Sequence, residues 1–284
     1  MMRSVSFDAM GTSVTIALQS DRSATRARRL FDHVEQVCSR FLEHSELSRL
    51  NDSSASTVEV SPLLADILAV AQDLRSWTDH LVDPAVGGLV SAWGYDTTFP
   101  KVADLTDPPS DVGADLWWHI DGSTLRKAPG VRFDLGGIAK GWTADVAVER
   151  GFATIVNAGG DLRSNHPEAD VDIEDPWDNI VATVPLGRRG LATSSVTRRR
   201  WKVAGRHAHH LIDPRTGAPA CTPVLSATVV CDRAAMAEAG AKGVLFHGED
   251  GLSWADDQDW IDGALVIWND ASVYATGSLE VTAA

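Results

Sequence analysis

The sequence lacks the features of membrane-spanning, exported and disulfide-linked proteins. No run of about 18 consecutive apolar residues occurs in its 284 residues, so no membrane-spanning helix is expected. The start, MMRSVSFDAMG, has no charged segment followed by an apolar one, so no signal peptide is expected. Only three cysteines are present, at no metal-like spacing, and they favour reduced structural thiols in a cytoplasmic protein.

An excess of positive charge is also missing. Lys and Arg total 25 against 39 Asp and Glu, which gives a formal net charge of −14 and a pI near 4.9. Such a chain repels nucleic acid at long range, so we expect no nucleic-acid partner. The one basic cluster, Arg198 to Lys202, has two interpretations. It is either a solvated strand or loop face, or a local contact for a small phosphate-bearing ligand.

The remaining composition is that of a folded protein, with 44% apolar and 23% charged residues and without repeats or a low-complexity linker. Alternating residues predict a strand pair around the turn Met10–Thr12. Three helices are predicted next. The first has apolar residues at helical spacing, at Leu30, Val34, Val37 and Phe41, and the second is a short helix after Ser45. The third begins at the N-cap Ser61 and has a buried face at Leu64, Ile67, Leu68 and Leu74. Mostly strands follow Gly190, with one helix from about Arg233 to Lys242.

These elements predict an α+β fold in which residues 1–284 form a single unit of two lobes, with a largely antiparallel sheet and flanking helices.

The stretch FDLGGIAKGWTADVAVERG places glycines and a lysine at the start of a predicted helix. Its apolar residues Ile138, Trp142 and Val146 recur at helical spacing and predict one apolar stripe, and Gly151 predicts the helix end. Backbone without side chains at a helix start is suited to binding phosphate. The glycine spacing, however, matches neither a dinucleotide fingerprint nor a P-loop.

Four further polar glycine turns flank apolar segments, namely Met10–Thr12, Asp83–Gly87, Asn157–Asp161 and His210–Gly217. Each is weak evidence alone, because such residues are common turn formers. Together they favour loops that converge on one ligand cleft.

The set resembles the ApbE-type FAD:protein FMN transferases nearly from end to end. The motifs that carry the resemblance, in that family's order, are MGT, SELSRLN, TDHLVDPAVGGLVSAWGYD, DLGGIAKG, VNAGGDLR, GLATS and HLIDPRTG. The resemblance implies that FAD binds in a cleft between two lobes. It implies that, with Mg²⁺, FMN is transferred from FAD to a Thr or Ser of a target flavoprotein and AMP is released. Some members hydrolyse FAD instead.

The resemblance also implies functional residues. The cofactor-binding positions would be Met10, Gly11, Thr12, Leu81, Val82, Asp83, Gly136, Gly137, Lys140, Trp142, His210, Leu211 and Ile212. The catalytic residues would be His210, Lys140 and Glu238, and the metal ligands would be the Ala139 carbonyl and Glu238.

Several of these positions keep a second interpretation. Without the resemblance, Lys140 is a solvated helix lysine. His209 is either an inert neighbour of His210 or a second imidazole of the same pocket. Asn157 and Asp161 either fix their loop or reach the ligand, and the loop role is favoured.

One segment departs from the family pattern. The usual late helix reads A-D-A-L-A-T, whose Asp and Thr hold Mg²⁺, but here Glu238 and Lys242 stand at those positions. Three interpretations are open: Lys242 turns away and water replaces it, its ammonium partly substitutes for the metal, or catalysis is lost. A smaller departure is Ser195-Val196, where Gly-Asp is common.

Three functions therefore compete: an FMN transferase, a Mg²⁺-dependent FAD pyrophosphatase, and a flavin-binding protein without turnover.

Overall fold

The structure is a computed structural model that describes residues 3–18, 21–109 and 116–283. The chain divides into two compact units. Unit 1 comprises Met1–Asp32, Ile138–Thr197 and Cys221–Ala284, and unit 2 comprises His33–Gly137 and Arg198–Ala220. The assignment of residues 1–284 to one domain stays a prediction.

The helices of the described residues are α1 (Asp21–Cys38), α2 (Glu46–Asp52), α3 (Pro62–Trp77), α4 (Gly87–Ala92), α5 (Ala139–Glu149), α6 (Ala234–His247) and α7 (Gly251–Asp256), with short 3₁₀ helices at Phe99–Lys101 and Gly248–Asp250. The strands are β1 (Arg3–Ala9), β2 (Thr12–Leu18), β3 (Thr57–Glu59), β4 (Trp118–Asp121), β5 (Thr124–Lys127), β6 (Ile155–Ala158), β7 (Asp161–Ser164), β8 (Asp170–Glu174), β9 (Ile180–Pro185), β10 (Gly190–Ser195), β11 (Arg200–Val203), β12 (Arg206–His209), β13 (Ile212–Asp213), β14 (Ala218–Pro219), β15 (Val224–Cys231), β16 (Gly263–Trp268), β17 (Val273–Ala275) and β18 (Thr282–Ala283).

Unit 1 is built on an eight-stranded sheet of order β1-β2-β6-β7-β10-β15-β16-β17, in which neighbouring strands pair antiparallel. A second, three-stranded sheet has the order β18-β9-β8. Inward-facing Val14, Ile16 and Val156 pack with Phe31 of α1 and Ala144 of α5 in a core without exposed side chains. The predicted α+β class with a largely antiparallel sheet is confirmed.

The first hairpin of unit 1 turns on two residues, Met10 and Gly11, with φ of 53° and 69°. Two central residues of positive φ are typical of the type I′ turn, whose twist matches that of the flanking strands. The strand pair predicted around Met10–Thr12 is therefore confirmed, and Met10 occupies a backbone conformation that a side chain rarely adopts.

Helix α5 packs against α6 through small residues. A Cβ on Gly141 would lie 2.8 Å from the Cα and N atoms of Ala235, so the two backbones approach closely. The predicted apolar stripe is only partly buried, because Ile138 is buried whereas Trp142 and Val146 are half-buried. The close helix contact selects small side chains instead, and the stop at Gly151, with φ of 67°, is confirmed.

Unit 2 carries the three-stranded sheet β3-β5-β4, the pairs β11-β12 and β13-β14, and helices α2 to α4. The predicted N-cap Ser61 is confirmed, because it accepts from the Leu64 N–H at 3.3 Å. The short helix predicted after Ser45 is also confirmed, and Ser45 caps it by accepting from the Ser48 N–H at 2.9 Å. In the basic segment, Arg200 and Lys202 of β11 are exposed while Trp201 between them is buried.

Two helix predictions need correction at their ends. Helix α1 ends at Cys38, so Phe41 lies outside it, and α6 continues beyond Lys242 to His247. Part of the predicted surface connection at 101–115 lies outside the described residues. Among the residues that are described, no helix combines the length and hydropathy needed to cross a bilayer.

Candidate functional site

A buried polar cluster lies on one face of the large sheet in unit 1. Asp161 on β7 pairs in register with Ala192 on β10, so Asp161 and Ser194, two residues further on, face the same side. Helices α5 and α6 cover these strands and add Lys140, Glu238 and Lys242. We call these five residues, Lys140, Asp161, Ser194, Glu238 and Lys242, the unit 1 polar cluster.

The first ion pair of the cluster joins Lys140 and Asp161. The Lys140 ammonium donates to Asp161 Oδ2 at 2.8 Å, and both residues are buried. Burial raises the pKa of the Asp161 carboxyl; the nearby Lys140 ammonium opposes that rise and the Glu238 carboxylate adds to it. The interpretation of Lys140 as a solvated helix lysine is therefore wrong, and Asp161 holds the lysine at the start of α5.

The second ion pair joins Glu238 and Lys242 on successive turns of α6. Lys242 Nζ lies 3.2 Å from Glu238 Oε1, and the Ser194 hydroxyl donates to Glu238 Oε2 at 3.1 Å. Asp145 of α5 holds α6 in place, because its carboxylate accepts from the N–H groups of Ala234 and Ala235 at 2.8 and 3.1 Å.

The residues implied as Mg²⁺ ligands do not fit a divalent cation in this arrangement. One Glu238 oxygen accepts from the Ser194 hydroxyl, and the other is ion-paired with the Lys242 ammonium. The Ala139 carbonyl accepts from the Thr143 hydroxyl at 2.6 Å. Within the described ranges, no group of three or more His, Cys, Asp or Glu residues has the arrangement of a metal site.

Two of the predicted glycine turns meet in unit 1. Strand β2 pairs with β6, and a Cβ on Gly159 would lie 2.2 Å from the Thr12 hydroxyl oxygen, so Thr12 packs directly on the AGGD turn. Asn157 fixes that turn by accepting from the Gly160 N–H at 3.0 Å. The MGT turn, the AGGD turn and Asp161, the first residue of β7, are thereby joined in one unit.

In unit 2, the turn that begins the glycine motif is held by residues that the sequence reasoning missed. The Arg40 Nε group donates to Asp134 Oδ2 at 2.8 Å, and the Gly136 N–H donates to Asp134 Oδ1 at 2.7 Å. Asn51 forms two hydrogen bonds with the Phe133 backbone, at 2.7 and 2.9 Å. Asn51 is the last residue of the SELSRLN motif. The motif therefore drew attention to this segment, but it did not reveal that Asn51 binds the Phe133 backbone.

Asp83 in unit 2 is buried, and both of its carboxylate oxygens accept hydrogen bonds from the protein. Its Oδ2 accepts from Arg75 Nε at 2.6 Å, and its Oδ1 accepts from the Trp118 indole and from the Ala85 N–H, both at 2.9 Å. The neighbouring Leu81 and Val82 are also buried. The contacts give Asp83 a structural role, while a contact with FAD stays a prediction.

We expect Asp83→Ala to destabilise the protein strongly, because it leaves the partly buried Arg75 guanidinium and the buried Trp118 indole without this acceptor. Loss of one partner of a buried pair typically costs about 3–5 kcal/mol. Thermal unfolding of Asp83→Ala and of the control Asp73→Ala, at an exposed position of α3, measures the difference. An unchanged melting temperature with weakened FAD binding would show instead that Asp83 serves mainly as a ligand contact.

The two adjacent histidines of unit 2 differ in surroundings. Leu211 donates its N–H to His209 Nδ1 at 3.3 Å, and His209 Nε2 lies 3.1 Å from the Ala220 carbonyl, so the ring fits as the neutral Nε2–H tautomer. Burial lowers the pKa of His209 from 6.5 to about 4. The His210 ring instead packs edge-on against Tyr95, with centroids 6.4 Å apart. These contacts favour His209 as the structural member of the pair.

His209 should make stability fall in acid. The unfolded chain binds a proton near pH 6.5, whereas the folded chain does so only near pH 4, so stability is complete above about pH 6.5 and is lost as the pH falls toward 4. The loss is on the order of 3 kcal/mol at most. Denaturant unfolding of wild type and His209→Gln between pH 4 and 7 checks this prediction. It would be contradicted if the free energy of unfolding changed equally with pH in both proteins.

The implied functional residues are distributed over both units. Those in unit 1 are Met10, Gly11, Thr12, Ala139, Lys140, Trp142 and Glu238, and those in unit 2 are Leu81, Val82, Asp83, Gly136, Gly137, His210, Leu211 and Ile212. Two of the proposed catalytic residues, Lys140 and Glu238, lie together in the unit 1 polar cluster.

The fold is that of solved ApbE proteins. The ApbE protein of Thermotoga maritima matches with a TM-score of 0.88 at 25% identity, over 98% of both chains. The flavin transferase ApbE from Vibrio cholerae matches with a TM-score of 0.80 at 28% identity, again over 98% of both chains.

Comparison of sequences agrees with the structural match. A sequence model described as the ApbE family matches residues 10–265, and the chain belongs to that family. The FAD:protein FMN transferase of Rhodobacter capsulatus is 35% identical over 255 residues, which cover 83% of this chain and 48% of that relative. The FAD:protein FMN transferase of Vibrio cholerae is 30% identical over 246 residues, which cover 80% of this chain and 73% of that relative. This chain therefore spans about half the length of the first relative.

Proposed function

We propose that this chain is an FAD:protein FMN transferase, which transfers FMN from FAD to a Thr or Ser hydroxyl of a target flavoprotein and releases AMP. The observation that carries the proposal is the buried Lys140–Asp161 pair at the start of α5. The names of the curated relatives support transfer of FMN from FAD to a protein. FAD and an acceptor flavoprotein are the partners of this reaction, and a cytoplasmic location stays a prediction.

In this reaction the acceptor hydroxyl oxygen forms a bond to the FMN-side phosphorus of FAD, and the bridging P–O bond to AMP breaks. AMP leaves with the bonding electrons, and the hydroxyl proton passes to a base. Negative charge is present on the pyrophosphate throughout, so charge neutralisation and positioning supply most of the catalysis. In the proposal, Lys140 neutralises a phosphate and His210 accepts the proton.

The start of α5 is suited to the phosphate. No side-chain hydrogen bond caps α5 at Ile138. The first N–H groups of an α-helix have no partner within the helix, and together with the helix dipole they favour a bound anion. Lys140 lies in the same first turn and is held by Asp161. Gly136 and Gly137 precede it, and Met10, Leu81, Val82 and Asp83 are proposed flavin-site residues through the resemblance.

The Mg²⁺ that the resemblance implies would supply further charge neutralisation at the pyrophosphate. Its implied ligands are already engaged, because Glu238 contacts Ser194 and Lys242 and the Ala139 carbonyl accepts from Thr143.

Time courses of AMP release from FAD, with and without a candidate acceptor flavoprotein, test the proposal. A transferase releases AMP in step with covalent flavin on the acceptor, detected by in-gel fluorescence. AMP released equally without acceptor identifies a pyrophosphatase. Tight FAD binding without AMP under any condition identifies a flavin carrier, and either of these results would overturn the transferase assignment.

A further inference from the structure

The Lys242–Glu238 pair puts a positive charge on the carboxylate that would have to hold a metal. The side chains are 15% and 8% exposed, so the pair lies out of bulk water. Ser194 donates to the second Glu238 oxygen, so one oxygen of the carboxylate is ion-paired and the other is hydrogen-bonded. A divalent cation at Glu238 would have to displace the ammonium from a contact of 3.2 Å.

The charges of the unit 1 polar cluster already balance. Lys140 and Lys242 contribute two positive charges, and Asp161 and Glu238 contribute two negative charges. A divalent cation added to this set faces two ammonium groups as well as two carboxylates, and like charges repel strongly where water is excluded. The cluster is therefore built to be stable without an ion.

The Lys242 ammonium keeps donors for a ligand. An ammonium group has three N–H donors, and the contact with Glu238 uses one. The remaining donors are suited to phosphate oxygens, which accept charge-assisted hydrogen bonds. Lys242 thus offers the charge and the short contact that a metal ion would supply, although it binds as a point charge without a fixed coordination geometry.

We propose that Lys242 takes the place of a divalent cation in this chain, so that FAD binding and pyrophosphate cleavage need no metal ion at Glu238. The inference rests on the proposed function. In the transfer step, Lys242 and Lys140 stabilise the charge on the pyrophosphate and on the departing AMP. AMP leaves as an anion, so neither lysine has to give up a proton.

Manganese binding provides a test that does not depend on turnover. We expect the wild-type protein with FAD to bind Mn²⁺ weakly in electron paramagnetic resonance titrations. Lys242→Thr removes the charge and adds a hydroxyl oxygen, a hard ligand for such ions, and should tighten Mn²⁺ binding by about tenfold or more. Lys101→Thr, at an exposed position at the end of the 3₁₀ helix Phe99–Lys101, is the control and should bind Mn²⁺ like the wild type.

Activity adds a second readout. We expect wild-type AMP release to survive EDTA, Lys242→Thr to require added Mg²⁺, and Lys242→Met to lose activity and FAD affinity without rescue by Mg²⁺. Wild-type activity that disappears with EDTA and returns with Mg²⁺ overturns the inference, as does tight Mn²⁺ binding by the wild type. If no protein releases AMP under any condition, the proposed function fails, while the Mn²⁺ titrations still decide the role of Lys242.

Discussion

Replacing Lys140 by methionine is expected to reduce AMP release from FAD by about a hundredfold or more, the usual effect of removing one positioned donor from a reacting group. Methionine keeps most of the side-chain volume and removes the charge. The substitution also leaves Asp161 without the ammonium that lies 2.8 Å away. Stability should fall as well, because a buried carboxyl group loses its partner.

A double variant separates the two effects. In Lys140→Met/Asp161→Asn, the second substitution removes the buried carboxylate that the first left unpaired. We expect the melting temperature to recover while AMP release stays low. Recovery of turnover together with stability would contradict a direct role of Lys140 and would assign it to holding α5 on β7. Circular dichroism and AMP chromatography on the same preparations give both readouts.

The second large effect is expected at Gly87. A Cβ at this position would lie 2.5 Å from the Phe133 carbonyl carbon and 2.7 Å from its oxygen. The Gly87 N–H also donates to the Arg132 carbonyl at 3.0 Å, so the two segments cannot easily separate. Gly87→Ala should therefore cost about 2–3 kcal/mol of unfolding free energy and displace the segment that leads into Asp134.

The next residue in the chain provides the matched control. A Cβ on Gly88 would meet nothing closer than 3.9 Å, and Gly88 lies in the same helix, α4. Gly88→Ala should leave stability unchanged or raise it by up to about 1 kcal/mol, because alanine favours helix over glycine. Urea unfolding of both variants decides the matter, and similar losses at the two positions would contradict the steric argument.

Local signals predicted much of the fold. The cap at Ser61, the short helix after Ser45 and the turn at Met10 and Gly11 depend on residues only one to four positions apart, and the structure contains all of them. Alternating strands likewise predicted an antiparallel sheet. Such features follow from short-range geometry that is visible in a single sequence.

The polar cluster was only partly predictable. Lys140 was singled out by its glycine motif, but its burial depends on Asp161, which α5 and β7 bring together. The apolar stripe of α5 is only partly buried for a similar reason, since contact with α6 at Ala235 decides which residues are buried. Contacts between distant segments determine burial and pairing, and periodicity does not report them.

The role of Asp83 also depends on a contact that is distant in the chain. Its place before a proline favoured a ligand or loop role from sequence, whereas its indole partner, Trp118, is distant in the chain. The pairing of Lys242 with Glu238 was accessible as an i,i+4 spacing on a helix. That the pair leaves Glu238 unsuited to a metal ion could not be predicted, because the hydrogen bond from Ser194 to the second carboxylate oxygen joins distant segments.

A crystal structure of this protein with FAD tests the central claim most directly, namely that the unit 1 polar cluster binds the FAD pyrophosphate. We predict pyrophosphate oxygens at about 3 Å from the ammonium groups of Lys140 and Lys242, with Glu238 still paired to Lys242. A pyrophosphate bound away from this cluster would contradict the claim. A divalent ion joining Glu238 to the Ala139 carbonyl, with Lys242 turned away, would contradict the role assigned to Lys242.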